Sequence, residues 1–348
     1  MPPRTGRTER FDRDLQAAFE ALDNHDFDAA ESALERCRRI DRNHPDVLAI
    51  DATLSAIDGD YERALELWEK LIEQRAQDPQ PRIAAATLAL DEMFDPEHAL
   101  ELIEPAFEFV DEEADLIAAV SVKAGAHVML AMVADQNGEA AKADKQRSLA
   151  RETIAELATS VLDEPEQLIE LTFLAIDAGD DKAATAWIAK LEAAPETRCD
   201  GLLARARLCE RSGDELGKIR AWQEVRVLDL DLDETEVTVA VPEVERIVRE
   251  ALEVLPARVQ DRIKAATLSV QQVPSEQQVN AGIDPRCLVR FAGEDKLTID
   301  VFKLNVERIV SDTDHFAEEL HVSTVQEAVT FFKLDNEELA EPGEADMD

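Results

Sequence analysis

A short motif returns at nearly fixed spacing through the first 236 residues of this 348-residue chain, and no other feature limits the fold as strongly. Asp26-Phe27-Asp28-Ala29-Ala30, Gly59-Asp60-Tyr61-Glu62-Arg63-Ala64 and Met93-Phe94-Asp95-Pro96-Glu97-His98-Ala99 each precede an amphipathic run. Ala30 to Ala64 is a step of 34 residues and Ala64 to Ala99 one of 35. Gly138 to Ala143 is a looser copy, while Gly179-Asp180-Asp181-Lys182-Ala183-Ala184 and Gly213-Asp214-Glu215-Leu216-Gly217-Lys218 again lie 34 apart. A period of this length marks stacked helical units, none of which buries its apolar face alone. Glycine permits the turn between two paired helices, and a small alanine lets the second pack closely on the first. Strand signals are almost absent from this region.

The period and the Gly-Asp-Tyr-x-x-Ala turn resemble tetratricopeptide repeats. That resemblance implies a right-handed, curved solenoid of about twelve helices. Its expected bounds are 11–228, after a flexible N-terminus (1–10) and before a linker (229–236) in the run Leu228-Asp229-Leu230-Asp231-Leu232-Asp233-Glu234. The larger steps between Ala99, Ala143 and Ala184 predict elongated helices, Leu116 to Val133 and Ala141 to Leu162, and the last repeat helix is expected over Ile219 to Val227. Trp68, Trp187 and Trp222 fall where such helices need large core residues.

The length suits two domains, or one domain plus an extended array. With 37 basic and 77 acidic residues the formal net charge is −40, which disfavours nucleic acid and anionic membranes and favours a basic protein partner. An acidic solvated surface or a saline host accounts for the same excess without any binding site. Cys37, Cys199, Cys209 and Cys287 have no Cys-x-x-Cys spacing and read as reduced core residues. The first 13 residues are basic without an apolar core, unlike a signal peptide. No apolar run is expected to reach membrane-spanning length, so the expectation is a soluble, cytoplasmic protein.

The C-terminal third changes character. Pro242 to Pro256 carries Val244, Ile247, Val248, Ala251, Leu252 and Leu255 at helical spacing. Strands are expected at Leu268 to Pro274, Cys287 to Gly293 and Leu297 to Lys303, the second entered through the Gly-x-Asp-Pro-Arg segment Gly282 to Arg286. After Asn305 comes a helix in which Val325, Ala328, Val329 and Phe332 form an apolar stripe. The order of these segments over about Pro242 to Leu339 resembles the bacterial minimal zincins, or zincin-like metallopeptidases. In that family an H-E-x-x-H helix holds Zn²⁺ with histidines four residues apart, its glutamate serving as general base. Here the corresponding positions are Gln326, Glu327 and Thr330, and Lys333 replaces a glycine in the turn that follows. Amide and hydroxyl groups are poor Zn²⁺ ligands. The resemblance therefore implies a zincin-like fold (237–340, then an acidic tail, 341–348) without catalytic residues, metal or cofactor.

Other chemistry is sparse. His315 and His321 lie six residues apart on different helical faces, while His315, Glu318 and Glu319 share a face that reads more simply as a solvated helix start. His25, His44, His98 and His127 have no evident partners. The expected fold class is mainly α: a tetratricopeptide-like helical solenoid followed by a small α+β zincin-like domain. The expected function is a protein–protein interaction or adaptor role, binding a basic or amphipathic partner through the acidic array or the zincin-like domain. A carboxylate-clamp mode is disfavoured because it needs several inward Lys, Arg and Asn residues. Two alternatives stay open: a zinc metallopeptidase with unconventional ligands, and a structural subunit of a homo-oligomer.

Overall fold

The computed structural model describes residues 4–231, 237–293 and 296–334, with the backbone alone for 4–7. It divides into two compact units, Met1–Ala193 and Ala194–Asp348.

The first unit is built from ten helices: α1 (Arg4–Asp23), α2 (Phe27–Asp41), α3 (Pro45–Ile57), α4 (Tyr61–Gln74), α5 (Gln80–Asp91), α6 (Pro96–Ile103), α7 (Glu113–Gln136), α8 (Ala140–Ile154), α9 (Pro165–Ala178) and α10 (Asp181–Ala193). Each odd-numbered helix pairs with its even-numbered successor. Residues 4–10, expected as a flexible tail, belong to α1.

The repeat motif is the inter-helix turn. His25, Gly59, Phe94, Gly138 and Gly179 all have positive φ, and each immediately precedes an acidic residue. Asp26, Asp60, Asp95 and Asp180 then accept the backbone N–H three residues on, at 3.1, 3.3, 3.0 and 3.0 Å. These bonds satisfy a donor that the new helix would otherwise leave orphaned. One position further on sits the repeat alanine. Ala30, Ala64, Ala99, Ala143 and Ala184 are wholly buried, so a larger side chain would push the paired helices apart.

Helix α7 has 24 residues and an 18-residue window of mean hydropathy 1.9, long and apolar enough to cross a membrane. That corrects the expectation that no run reaches such length. Within this unit the helix is enclosed by α5, α6, α8 and α9. Ala119, Val120, Ala124 and Ala126 are fully buried, which is why its apolar residues run all round.

The second unit begins with one more helical pair, α11 (Arg198–Ser212) and α12 (Glu215–Leu230), joined through Gly213 in the left-handed region and Asp214, which accepts from Gly217 N at 2.9 Å. Helices α1 to α12 match the expected count. The remainder is α13 (Val241–Glu253), α14 (Ala257–Lys264), β1 (Thr267–Gln271), α15 (Glu276–Asn280), β2 (Val289–Ala292), β3 (Thr298–Phe302), α16 (Lys303–Glu307) and α17 (Thr313–Phe332). The sheet order is β1-β3-β2, with β1 parallel and β2 antiparallel to β3. Val289, Phe291, Ile299 and Val301 face a core completed by Val244, Ile247 and Val248 of α13 and by Phe316, Leu320, Ala328 and Phe332 of α17. On β3 the polar Asp300 accepts from Gln278 Nε2 of α15 at 3.1 Å.

The expected linker starts inside this unit. Asp229, in the last turn of α12, is 0% exposed. Its carboxylate holds Arg286 at 3.3 Å and Arg308 at 3.1 Å, and Arg308 also donates to the Asp229 carbonyl. Arg286 Nη2 lies 2.9 Å from Cys199 Sγ on α11 as well. Arg286 ends the Gly-x-Asp-Pro-Arg segment, so that motif clamps α11 and α12 to the α+β part. This is the physical reason the compact boundary falls at 193/194 rather than at 228/229. Residues 232–236 and 335–348, including most of the linker and the acidic tail, lie outside the described residues.

Candidate functional site

Two places are open to chemistry: helix α17, which carries Gln326, Glu327 and Thr330, and the grooves of the helical array. On α17, Gln326 and Thr330 are exposed on successive turns, and Thr330 Oγ1 donates to the Gln326 carbonyl at 3.0 Å. Glu327 turns toward the sheet instead. Its Oε1 accepts from Phe291 N at 3.4 Å. Leu288 O receives Phe302 N, so alternation leaves the Phe291 N–H on the outer edge of β2, away from β3. Glu327 thus covers an edge donor that would otherwise invite a further strand. Burial pushes its carboxyl pKa up, opposed by the Phe291 N–H and by Arg290. Nearby, Cys287 Sγ donates to Val289 O at 3.2 Å and its thiol is raised to about 11, chiefly by burial.

Among the described residues no group of three or more His, Cys, Asp or Glu side chains could hold a metal ion. His315 is engaged by Ser311 Oγ at 2.8 Å and Asp312 at 2.9 Å. Two other histidines, expected to lack partners, have them. His127 is buried and bonded to Gln146 at 2.8 Å, with its pKa lowered mainly by burial. His44 caps α3, accepting from Asp46 N at 3.3 Å.

The array of the first unit has a different kind of site. Helices α1, α3, α4, α5, α7 and α9 line a groove of three sections, each sharing residues with the next. One end is bounded by Phe19 of α1, Thr53 of α3 and Trp68 of α4; the middle by Ile57, Tyr61 and Asp91. The far section, about 570 Å³, lies among α5, α7 and α9. Gly125 lets Leu90 of α5 pack close against α7 at its floor, since a Cβ there would come within 3.1 Å of Leu90 Cδ2. Met129, Met132, Val133 and Leu174 make the walls, and Met132 is 51% exposed. Of the seven large apolar side chains left exposed among the described residues of the first unit, Phe19, Ile57, Met132 and Val133 border this groove, and Phe27, Phe94 and Val161 do not.

The charge of the far section is one-signed, whereas the first end carries both Arg75 and Asp78. Asp91 and Glu170 line the far section, and no Lys, Arg or His does. Partial desolvation by the groove walls raises both pKa values. Glu92 adds to the effect at Asp91, and Asp91 itself adds to it at Glu170, whereas a hydrogen bond from Ser121 lowers Glu170. Sequence reading missed these residues. The available signal was the excess of apolar residues at the C-terminal end of α7, where Met132 and Val133 have no core to enter.

No family model matches the chain, and no curated protein matches it. Among solved structures it is similar to PilF of Pseudomonas aeruginosa, with 16% identity, coverage of 65% of this chain and 95% of that one, and a TM-score of 0.44. PilW, a widely conserved type IV pilus biogenesis factor, has 13% identity, coverage of 64% and 95%, and a TM-score of 0.45. A tetratricopeptide repeat protein from Parabacteroides merdae has 13% identity, coverage of 63% and 93%, and a TM-score of 0.35. The repeated helical pairs of the chain itself carry its fold assignment.

Proposed function

We propose that this chain is a protein-interaction protein whose helical array receives a basic or amphipathic segment of a partner. The observation that carries this reading is the apolar groove along α1, α3, α4, α5, α7 and α9, whose only charged lining in the α5–α7–α9 section is acidic. Water meets large apolar side chains there at a cost, and a ligand that covers them removes it. The chain's net charge of −40 speeds encounter with a cationic partner.

The α+β part is a zincin-like domain without peptidase chemistry. Support comes from the order of its segments and from Lys333, which adopts φ +53° at the position where the family carries glycine. Gln326 and Thr330 supply no metal ligand, and Glu327 bonds a backbone N–H where a base would address water.

Hydrogen exchange tests the interaction. The probe is a synthetic amphipathic helix of about 18 residues, built from Leu and Lys in a 3.6-residue pattern. Slowed exchange over 80–91, 113–136 and 165–178 is expected. Protection confined to segments that do not line the groove, or none, overturns the reading.

A further inference from the structure

Resting on that reading, we infer that the α5–α7–α9 section of the groove takes an α-helical segment, its apolar face against Gly125, Met129 and Met132 and its Lys or Arg residues directed at Asp91 and Glu170.

The case for a helix is a hydrogen-bond argument. An extended ligand brings unpaired backbone N–H and C=O groups and must find partners for them on the receptor. This section of the groove has few to give. Its walls are helices, whose backbone groups are already paired along their length. Thr87 Oγ1 is committed to its own helix, donating to Ile83 O at 2.9 Å, and Ser121 is committed to Glu170. Among the lining residues only Gln136 and Gln167 carry amides, and no asparagine, lysine or arginine is present. A helical ligand satisfies its backbone internally and presents side chains alone, so this lining suits it and penalises a strand.

Charge fixes the rest. Two carboxylates share a partly desolvated space with no basic lining residue, and Asp91 raises the cost of ionising Glu170. A ligand ammonium or guanidinium between them relieves that repulsion. The methionines adapt to aliphatic side chains of varied shape.

Binding of the Leu/Lys helix is to be measured by fluorescence anisotropy on the full chain, with a Leu/Glu helix of the same pattern as the charge control. Wild type should prefer the Leu/Lys helix strongly. An Asp91→Asn/Glu170→Gln variant should lose about tenfold in affinity, equivalent to about 1.4 kcal/mol. A Glu69→Gln/Glu73→Gln variant, which removes two exposed charges from α4 outside the groove, should change it little. Met132→Ser, which removes an exposed apolar side chain from the wall without adding charge, should also weaken binding.

Should Met132→Ser weaken binding while Asp91→Asn/Glu170→Gln does not, the inferred charge contacts fall and the groove reading stands. If neither variant weakens it, or both acid pairs weaken it equally, the inferred seat falls, and the groove reading falls with it only if exchange protection also misses the groove. A strand-forming Leu/Lys peptide of alternating pattern that binds as well as the helix overturns the helical ligand alone.

Discussion

Replacing Asp229 with asparagine keeps the side chain's shape and removes its charge. The residue is 0% exposed and faces two guanidinium groups, at 3.3 and 3.1 Å. Breaking a buried ion pair by neutralising one partner typically costs about 3 to 5 kcal/mol, because the other charge stays desolvated. The Arg286 side chain is 39% exposed and regains water, whereas that of Arg308 is 14% exposed, and its Nε already has no hydrogen-bond partner. The low end, about 3 kcal/mol, is therefore the expected loss. At a urea slope of about 1 to 3 kcal/mol per molar this moves the midpoint down by roughly 1 to 3 M. The assay is urea unfolding read by hydrogen exchange, which separates the second unit from the first. Exchange should accelerate over 198–230 and 241–332 and stay unchanged over 27–178. A change below about 0.5 kcal/mol, the size of an ordinary surface substitution, would refute the argument and return Asp229 to a linker.

Three more tests follow from the same structure. Lys333 and Phe94 hold φ of +53° and +52°, where a Cβ costs about 1 kcal/mol relative to glycine, so Lys333→Gly and Phe94→Gly should each raise the melting temperature of their own unit. Glu327 has a carboxyl pKa above its ordinary 4.5 in the fold, so it favours folding when protonated and loses that contribution as pH rises through the folded value. Glu327→Gln, which still accepts from Phe291 N, should therefore gain stability relative to wild type between about pH 4 and pH 7 in paired denaturation curves. Gln326→His/Thr330→His puts two imidazoles on adjacent turns of an exposed face. Elemental analysis should find zinc in this variant and none in wild type, and near-stoichiometric zinc in wild type would contradict the reading of α17.

The local chemistry of the repeat explains why so much of the fold could be read in advance. Asp60 after Gly59 and Ala64 after both specify a left-handed turn, a helix cap and a close contact within six residues, and such short-range rules need no knowledge of the rest of the chain. The strands at 289–292 and 298–302 fall within their expected spans, and that at 267–271 overlaps its span from one residue earlier, for the same reason, through alternation and flanking turns. Asp229 misled because a run of alternating Asp and Leu looks solvated until Arg286 and Arg308, far along the chain, come to meet it. His127 is similar, its partner Gln146 lying on the paired helix.

Sequence alone therefore determined the helical period, the turn chemistry and the order of the three strands between α13 and α17, whereas α14, α15 and α16 were not anticipated. Only the tertiary structure decided that α11 and α12 belong with the second unit, that Glu327 covers the edge of β2, and that Asp91, Gly125, Met132 and Glu170 converge on one groove. The physical reason is range. Capping, turns and periodicity are settled among neighbours a few residues apart. A buried ion pair or a groove between three helices exists only after segments distant in sequence have packed.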